Sequence, residues 1–190
     1  MTPSPCPAPG PAGPLRIGSL CTGYGGLDLA VMQVLGGELA SCAETDRHCR
    51  KILAAHFESV PNLGDITAVD WADVPPVDIV TAGWPCQDLS LAGQGAGIKK
   101  GTRSGLWLDI AACIRQVRPG AVFLENVAAL RTRGLARVLA DLAGLGYDAQ
   151  WATLRACDVG APHARACLFV LAARPVAHPA GPRPPRRPAA

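Results

Sequence analysis

Short apolar runs alternate with amphipathic segments along most of this chain, and the alternation constrains its fold more than any other feature. Apolar runs bounded by turn residues predict buried strands, and apolar positions three and four residues apart predict helices. The strand-like runs are 15–21, 38–43, 77–82, 121–124, 147–154 and 167–172, and the helical segments are 27–35, 46–57, 104–118 and 135–145. Strands alternating with helices predict an α/β fold, doubly wound, with a mostly parallel sheet and helices on both faces.

The two ends differ in composition from the middle of the chain. Residues 1–14 alternate Pro with Ala, Gly and Ser, and residues 174–190 are mainly Pro, Ala, Gly and Arg. Such segments are expected to be disordered. Residues 15–173 are long enough for one domain with its own core. No run approaches the roughly 20 apolar residues that cross a membrane.

The eight cysteines lie at irregular intervals and include no Cys-x-x-Cys pair. We expect no signal peptide, reduced thiols and a cytoplasmic location rather than a disulfide framework. Cys157, His163 and Cys167 are near one another in sequence, but their spacing fits no common zinc pattern. The sequence therefore predicts no metal site.

A cysteine follows the third strand-like run at a place suited to chemistry. The motif Gly83-Trp84-Pro85-Cys86 comes directly after 77–82. Ligands of open α/β sheets sit outside the carboxyl ends of strands, so this thiol would face the reaction space, with Pro85 restricting its backbone. Cys86 is therefore a candidate nucleophile. The alternative is a buried structural cysteine, the usual state of a free cysteine.

A glycine-rich loop, Thr22-Gly23-Tyr24-Gly25-Gly26, links the first predicted strand to the first predicted helix. Glycines let the backbone approach a ligand closely, and the helix N-terminus that follows favours a polar or anionic group. The third glycine of a dinucleotide fingerprint would fall at Asp28, so the loop does not match the type that binds NAD. An ordinary turn is the alternative.

Acidic residues lie between or at the ends of the other strand-like runs. Glu44 comes after 38–43, where a carboxylate can accept hydrogen bonds from two ribose hydroxyls. Asp65-Ile66 precedes the third run, and Glu125-Asn126 comes after 121–124. Each acid alone could equally be a helix cap or a solvated turn. Their order along the chain indicates a common site.

Seven blocks in this order resemble DNA (cytosine-5)-methyltransferases, and they span residues 15 to 173. The blocks are Thr22-Gly23-Tyr24-Gly25-Gly26, Glu44, Gly64-Asp65-Ile66, Gly83-Trp84-Pro85-Cys86-Gln87, Thr102-Arg103-Ser104-Gly105-Leu106, Glu125-Asn126-Val127 and Gly160-Ala161-Pro162-His163-Ala164-Arg165. The Pro-Cys-Gln and Glu-Asn-Val blocks are the most specific. The resemblance implies a Rossmann-like methyltransferase fold with one antiparallel edge strand, and methyl transfer to carbon 5 of cytosine in DNA.

The resemblance also implies roles for the catalytic residues. Cys86 would add as a thiolate to carbon 6 of cytosine, which activates carbon 5. Glu125 would protonate ring nitrogen 3, a task suited to a carboxyl whose pKa is raised by burial, and Asn126 would fix its surroundings. Arg165 would complete the catalytic set. The base must be flipped out of the duplex to reach these groups.

S-adenosylmethionine is the cofactor that the resemblance implies. The backbone of 24–26 would cradle its methionine part, Glu44 would bind its ribose, and Asp65 with Ile66 would frame its adenine. The full set expected from the resemblance is Thr22, Gly23, Tyr24, Gly25, Gly26, Glu44, Asp65, Ile66, Pro85 and Leu106.

Three positions depart from the family pattern. Thr45 stands where the family often has an aromatic residue that stacks on adenine. In the Gln-x-Arg-x-Arg block, His163 replaces the glutamine and Cys167 replaces the last arginine. The absence of one cation near the flipped nucleotide should weaken its binding or positioning.

The family's target-recognition domain and its last two motif blocks have no counterpart after Arg165. The chain would then be a catalytic portion that acts alone or with a second chain supplying target recognition. A catalytically weak DNA-binding or regulatory remnant is the alternative from a different class. A dinucleotide-dependent oxidoreductase is a more distant one, because Asp28 occupies the place of its third glycine.

The formal net charge of +3 is too small to indicate DNA binding by itself. Its distribution is more informative, because bases outnumber acids between residues 99 and 137. These bases are Lys99, Lys100, Arg103, Arg115, Arg118, Arg131, Arg133 and Arg137. This half is predicted to face phosphates, whereas 38–88 belongs to the cofactor half. Solvated helix faces are the alternative.

Overall fold

Strands and helices alternate in the order that the sequence predicts. The computed structural model describes residues 13–85 and 105–175, and Cys86 and Gln87 lie outside this range. The elements are β1 (Arg16–Leu20), α1 (Gly26–Leu35), β2 (Glu38–Ala43), α2 (Arg47–His56), β3 (Ile79–Gly83), α3 (Leu106–Val117), β4 (Ala121–Val127), α4 (Leu130–Arg133), α5 (Leu135–Gly144), β5 (Asp148–Arg155) and β6 (Ala166–Ala173). A short 3₁₀ helix, Ala156–Val159, links β5 to β6.

The six strands form one sheet in the order β2-β1-β3-β4-β6-β5. β1 pairs in parallel with β2 and β3, and β3 pairs in parallel with β4. This confirms the α/β class and the mostly parallel sheet.

The antiparallel strand is not at the edge of the sheet, so that expectation was wrong. β6 lies between β4 and β5 and is antiparallel to both. The short connection between β5 and β6 requires antiparallel pairing. β6 is the more apolar of the two strands and takes the interior position, while β5, which carries Asp148, Gln150 and Arg155, forms the edge.

β4 is longer than the predicted run 121–124. Glu125, Asn126 and Val127 continue its ladder and pair with Phe169, Leu168 and Cys167 of β6. The polar residues therefore lie within a strand rather than in a loop after it. Alternation along the strand then directs Glu125 and Asn126 to opposite faces of the sheet.

The core is divided between the two faces of the sheet. The larger cluster packs α3, α4 and α5 against β3, β4 and β6, with Trp107, Ile110 and Leu142 fully buried. The smaller cluster packs α1 and α2 against β1, β2 and β3. Trp107 Nε1 donates to Asp141 Oδ2 at 2.9 Å, which joins α3 to α5.

α1 covers only part of the sheet face on which it packs. Beyond α1, Phe123 and Phe169 stack with ring centroids 6.2 Å apart, and Leu171 is 45% exposed. A wholly apolar cleft of about 220 Å³ runs between α1 and these strands, and Val34 on its rim is 80% exposed. Within the described part of the chain, these apolar side chains of β4 and β6 remain partly open to solvent.

Neither a membrane span nor a metal cluster is found among residues 13–85 and 105–175. No helix in these ranges combines the length and apolar character that spanning a bilayer requires. No group of three or more His, Cys, Asp or Glu side chains in them is arranged to hold a metal ion.

Asp28 is a buried carboxyl that ties α1 to the sheet below the glycine-rich loop. Its side chain is 1% exposed and accepts hydrogen bonds from Ser19 Oγ of β1, at 2.9 Å, and from Thr81 Oγ1 of β3. Burial raises the pKa of Asp28, and the bonds from Thr81 and Ser19 oppose that rise. The carboxyl therefore positions the start of α1, and its burial disfavours the ionised form of the group.

Asp28→Asn should remove part of the pH dependence of stability. Because folding raises the pKa of Asp28, its stabilising contribution is present below the pKa of the unfolded chain, about 3.9, and is lost as pH rises through the folded value. We expect the wild type to lose stability relative to Asp28→Asn from about pH 4 upward. Urea denaturation at successive pH values measures this.

Asp73→Asn is the matched control, because Asp73 is exposed. Its stability should run parallel to that of the wild type across the pH range. A difference between wild type and Asp28→Asn that does not vary with pH would contradict the assignment.

Candidate functional site

The loop between β1 and α1 is shaped by left-handed backbone. Cys21, Gly23 and Gly25 have φ values of 51°, 57° and 80°. Gly25 donates from its N–H to Thr22 O at 3.0 Å, which closes the turn. A Cβ at Gly23 or Gly26 would meet no atom within 4 Å, so the backbone there borders open space. The loop can therefore accept a ligand against its main chain.

Glu44 joins the glycine-rich loop to the end of β2. Its Oε2 accepts from the N–H of Gly23 at 2.8 Å, and its Oε1 accepts from the N–H of Asp46 at 2.7 Å. Asp46 in turn caps α2 by accepting from the N–H groups of His48 and Cys49, each at 2.9 Å. Each Glu44 oxygen retains a further acceptor position, so the carboxylate can bind hydroxyl donors from a ligand.

Asp65 and Ile66 lie on a separate turn facing Glu44. Gly64 has a φ of 78°, and the N–H and hydroxyl of Thr67 both donate to Asp65 Oδ1 at 2.9 Å. Ile66 is 5% exposed and packs in the larger core cluster. The turn thus presents a carboxylate next to an apolar wall.

Asn126 positions the segment that leads toward Cys86. Its Nδ2 donates to Trp84 O at 2.9 Å, and its side chain is 2% exposed. Trp84 is also buried, with its ring centroid 5.5 Å from that of Trp107. The indole Nε1 of Trp84 is buried without a hydrogen-bond partner among the described residues. The backbone of Trp84 is thus held from β4 and the ring from α3, and Pro85 follows directly.

Glu125 faces the opposite side of β4 from Asn126. It pairs in register with Gly83 of β3, and a Cβ on Gly83 would lie 3.5 Å from Glu125 Oε2. The Glu125 carboxylate therefore lies over Gly83. Glu125 and Arg165 line the same cavity, and Arg165 precedes β6.

Most of the predicted site residues meet around one cavity of about 400 Å³ at the carboxyl ends of β1 to β4. Those that line it are Gly23, Glu44, Asp65, Ile66, Pro85, Leu106, Glu125, Asn126 and Arg165. Thr22, Tyr24 and Gly26 line a second cavity of about 600 Å³, which shares Gly23, Glu125 and Arg165 with the first. The two cavities meet at the glycine-rich loop.

Two predicted residues are not in these linings. Gly25 packs on its other side, where a Cβ would lie 3.3 Å from the Phe57 ring and 3.5 Å from Leu53. Its glycine is required by φ 80° and by this packing. Cys86 falls outside the described residues. Thr45, which stands where the family often has an aromatic residue, lines the first cavity.

Sequence reasoning did not select Cys21 and Trp84, which also line the first cavity. Trp84 belongs to the motif that contains Cys86. A large aromatic residue directly before Pro85 could have indicated that it lines the site. Cys21 follows the end of β1, and nothing in the sequence around it predicts its left-handed backbone. Burial, and then the charges of Glu44 and Asp65, raise the pKa of Cys21 to about 12, so its thiol is neutral at physiological pH.

The basic residues between 99 and 137 do not form one surface in the described part of the chain. α3 ends at the amino edge of the strands, where Arg118 Nη1 donates to Leu145 O at 2.8 Å. Arg137 is paired with Asp141 at 2.8 Å on α5. Arg131 and Arg133 lie on α4, which follows the carboxyl end of β4. Lys99, Lys100 and Arg103 are outside the described residues.

The sequence matches the family model of the C-5 cytosine-specific DNA methylases over residues 15–182. Among curated relatives, the type II methyltransferase M.NgoBI of Neisseria gonorrhoeae is 35% identical over 156 residues, covering 80% of this chain and 48% of that protein. M.HpaII of Haemophilus parainfluenzae is 36% identical over 160 residues, covering 80% and 44%. The chain thus spans about half the length of the curated relatives it matches.

Solved structures share the fold at lower identity. The Dnmt2 methyltransferase of S. pombe superposes with a TM-score of 0.68 and 19% identity, covering 84% of this chain and 49% of that chain. A DNMT2 mutant from Spodoptera frugiperda gives 0.67 and 20%, covering 92% and 56%. The match over residues 15–182 and the parallel sheet with its cavity lead to one conclusion: the chain belongs to the C-5 cytosine-specific DNA methylase family.

Proposed function

We propose that this chain is the catalytic portion of an S-adenosylmethionine-dependent DNA (cytosine-5)-methyltransferase. The observation that carries the proposal is the convergence of Glu44, Asp65, Pro85, Glu125 and Arg165 on one cavity. Acids suited to ribose and adenine recognition lie at one end, and the carboxyl suited to a pyrimidine ring lies at the other. The candidate nucleophile is the residue after Pro85.

The cavity fits the cofactor in size and in chemistry. Its volume of about 400 Å³ is within the range of small-molecule sites. Glu44 is held by two backbone N–H groups and keeps acceptor positions for hydroxyls. Open space beside Gly23 and Gly26 leaves room for a ligand against the loop. When bound here, S-adenosylmethionine would supply an electrophilic methyl group.

The chain's own residues would activate the base. The Cys86 thiolate would add to carbon 6 of a flipped cytosine, forming a C–S bond and opening the 5,6 double bond. Glu125 would give its proton to ring nitrogen 3 and neutralise the charge developing there. After methylation, loss of the carbon 5 proton to solvent would restore the double bond and expel the thiolate, and ring nitrogen 3 would return its proton to Glu125.

The raised pKa values of other cysteines support Cys86 as the nucleophile. Burial raises the pKa of Cys113 to about 12, and burial followed by acidic neighbours raises that of Cys21 to about 12 and that of Cys42 to about 11. Neutral thiols are poor nucleophiles. None of these three is therefore suited to attack a pyrimidine near neutral pH.

A second polypeptide segment is part of this proposal. The chain spans about half the length of its curated relatives, and the apolar face around Phe123, Phe169 and Leu171 is partly exposed. Exposed apolar surface of this kind marks an interaction site. The remaining portion, which would supply target recognition in the same polypeptide or as a second chain, would cover it. A cytoplasmic location remains a prediction from the cysteine pattern.

DNA containing 5-fluorocytosine should form a covalent adduct with this protein when S-adenosylmethionine is present. Fluorine cannot leave carbon 5 as a proton does, so the C–S bond would persist. Denaturing gel electrophoresis with a duplex of randomised sequence detects the adduct. Cys86→Ser should abolish it, whereas Cys157→Ser, which changes an exposed cysteine, should not. An adduct that persists in Cys86→Ser or maps to Cys21 or Cys113 overturns the mechanism.

Glu44→Ala should weaken S-adenosylmethionine binding by about 1.5–3 kcal/mol, the usual worth of a hydrogen bond to a charged acceptor. The change also frees the Gly23 N–H that Glu44 now holds. Isothermal titration calorimetry measures the affinity. Glu38→Ala is the control, because Glu38 is an exposed acid at the other end of β2. Equal affinities for the two variants would remove Glu44 from the cofactor site.

Asn126→Ala should lower the free energy of unfolding by about 1–3 kcal/mol, because the buried Trp84 carbonyl loses its donor. The adduct rate should also fall, since Pro85 and Cys86 are less firmly positioned. Urea denaturation and adduct kinetics measure the two effects. Gln116→Ala, an exposed change on α3, should alter neither. Unchanged adduct kinetics in Asn126→Ala would show that the bond serves stability alone.

A further inference from the structure

Glu125 lies where three cavities meet, and so does Arg165. Both residues line the two cavities beside the glycine-rich loop and a third of about 480 Å³ that opens over the beginning of β6. Cys167 and His163 line this third cavity. Glu125, which would protonate the base, therefore shares this cavity with Cys167, which the proposed mechanism does not use.

The pairing of β4 with β6 places Cys167 next to Glu125. Val127 is opposite Cys167, and Glu125 is opposite Phe169. Side chains two residues apart on a strand share a face, so all four lie on the face away from Asn126. Cys167 is then the diagonal neighbour of Glu125, at a separation that a glutamate side chain can span.

The thiol of Cys167 is in its protonated form at neutral pH. Burial, then the hydrogen bond to Glu125 and the charge of Glu125, raise the pKa of Cys167 to about 11, while Arg165 acts in the opposite direction. A protonated thiol is a donor, and the carboxylate is an acceptor. The two groups are chemically matched as well as adjacent.

We propose that Cys167 is a positioning residue for Glu125, whose carboxylate it holds by donating its thiol hydrogen across the β4–β6 pair. The inference rests on the proposed function for what Glu125 does, but the contact itself does not. A neutral donor at this place orients the carboxylate without adding a charge to pair with it. Unlike the arginine of the family pattern, Cys167 forms no ion pair with Glu125. A buried cysteine acting as a small apolar group is the competing interpretation.

The contact is tested by the alkylation rate of Cys167 as a function of pH. The full chain is treated with iodoacetamide, and the modified peptide is quantified by mass spectrometry. Because alkylation requires the thiolate, removing the Glu125 charge should raise the rate below the thiol pKa. We expect Glu125→Gln to increase the rate at pH 8 to 9 by about tenfold, the effect of one pKa unit.

Asp158→Asn is the control for this measurement. Asp158 is an exposed acid paired with Arg155 at 2.8 Å, and Arg155 lines the same third cavity. It should leave the Cys167 rate unchanged. An equal rate in wild type and Glu125→Gln, with both proteins folded by circular dichroism, would overturn the proposal. This result does not depend on whether the chain methylates DNA.

The positioning role is tested by two substitutions at residue 167. Cys167→Ser retains a donor of similar size, and Cys167→Ala removes it. We expect Cys167→Ala to slow adduct formation with 5-fluorocytosine DNA several-fold while S-adenosylmethionine affinity is unchanged, and Cys167→Ser to restore most of the rate. Equal adduct rates in all three proteins would overturn the positioning role. If the wild type forms no adduct, the proposed function fails and the alkylation result still decides the contact.

Discussion

The direction of the strands is the constraint on which the site depends. β1, β2, β3 and β4 run parallel, so their carboxyl ends form one edge of the sheet. The glycine-rich loop, Glu44, Pro85 and Glu125 come from four different strand ends and meet there although they are far apart in sequence. β6 runs the other way, so its beginning rather than its end reaches this edge. Arg165 therefore precedes its strand, whereas the glycine-rich loop, Glu44, Pro85 and Glu125 lie at or follow the ends of theirs.

Local pattern was sufficient to predict the elements, and the family resemblance supplied most of the residues expected in the site. Apolar runs and helical spacing predicted six strands and the main helices, because the central strands are buried on both faces and the helices have one apolar face. The cavity residues were predicted from family motifs, and their meeting follows from parallel pairing. Cys86 remains a prediction, because it lies outside the described residues.

What local pattern could not predict depends on pairing between strands. Either β5 or β6 could pair with β4, and sequence pattern does not show which one does. β6 pairs with β4 and is therefore interior, so the expectation of an antiparallel edge strand was wrong. The extension of β4 through Glu125 to Val127 depends on partners in β6 some forty residues away. The left-handed backbone of Cys21 likewise has no signature in its own residue type. The packing at Gly25 also had no local signal, because an added Cβ there would meet Leu53 and Phe57, and its contact with the cofactor stays a prediction.

The adjacent residues Glu125 and Asn126 carry a further consequence for how this protein can change. Because they point to opposite faces of one strand, the first serves the reaction space and the second holds the segment before Cys86. A single inserted or deleted residue between Ala121 and Glu125 would exchange the two directions, and both functions would be lost together. A change in the length of this strand therefore preserves both directions only when it comes in steps of two residues.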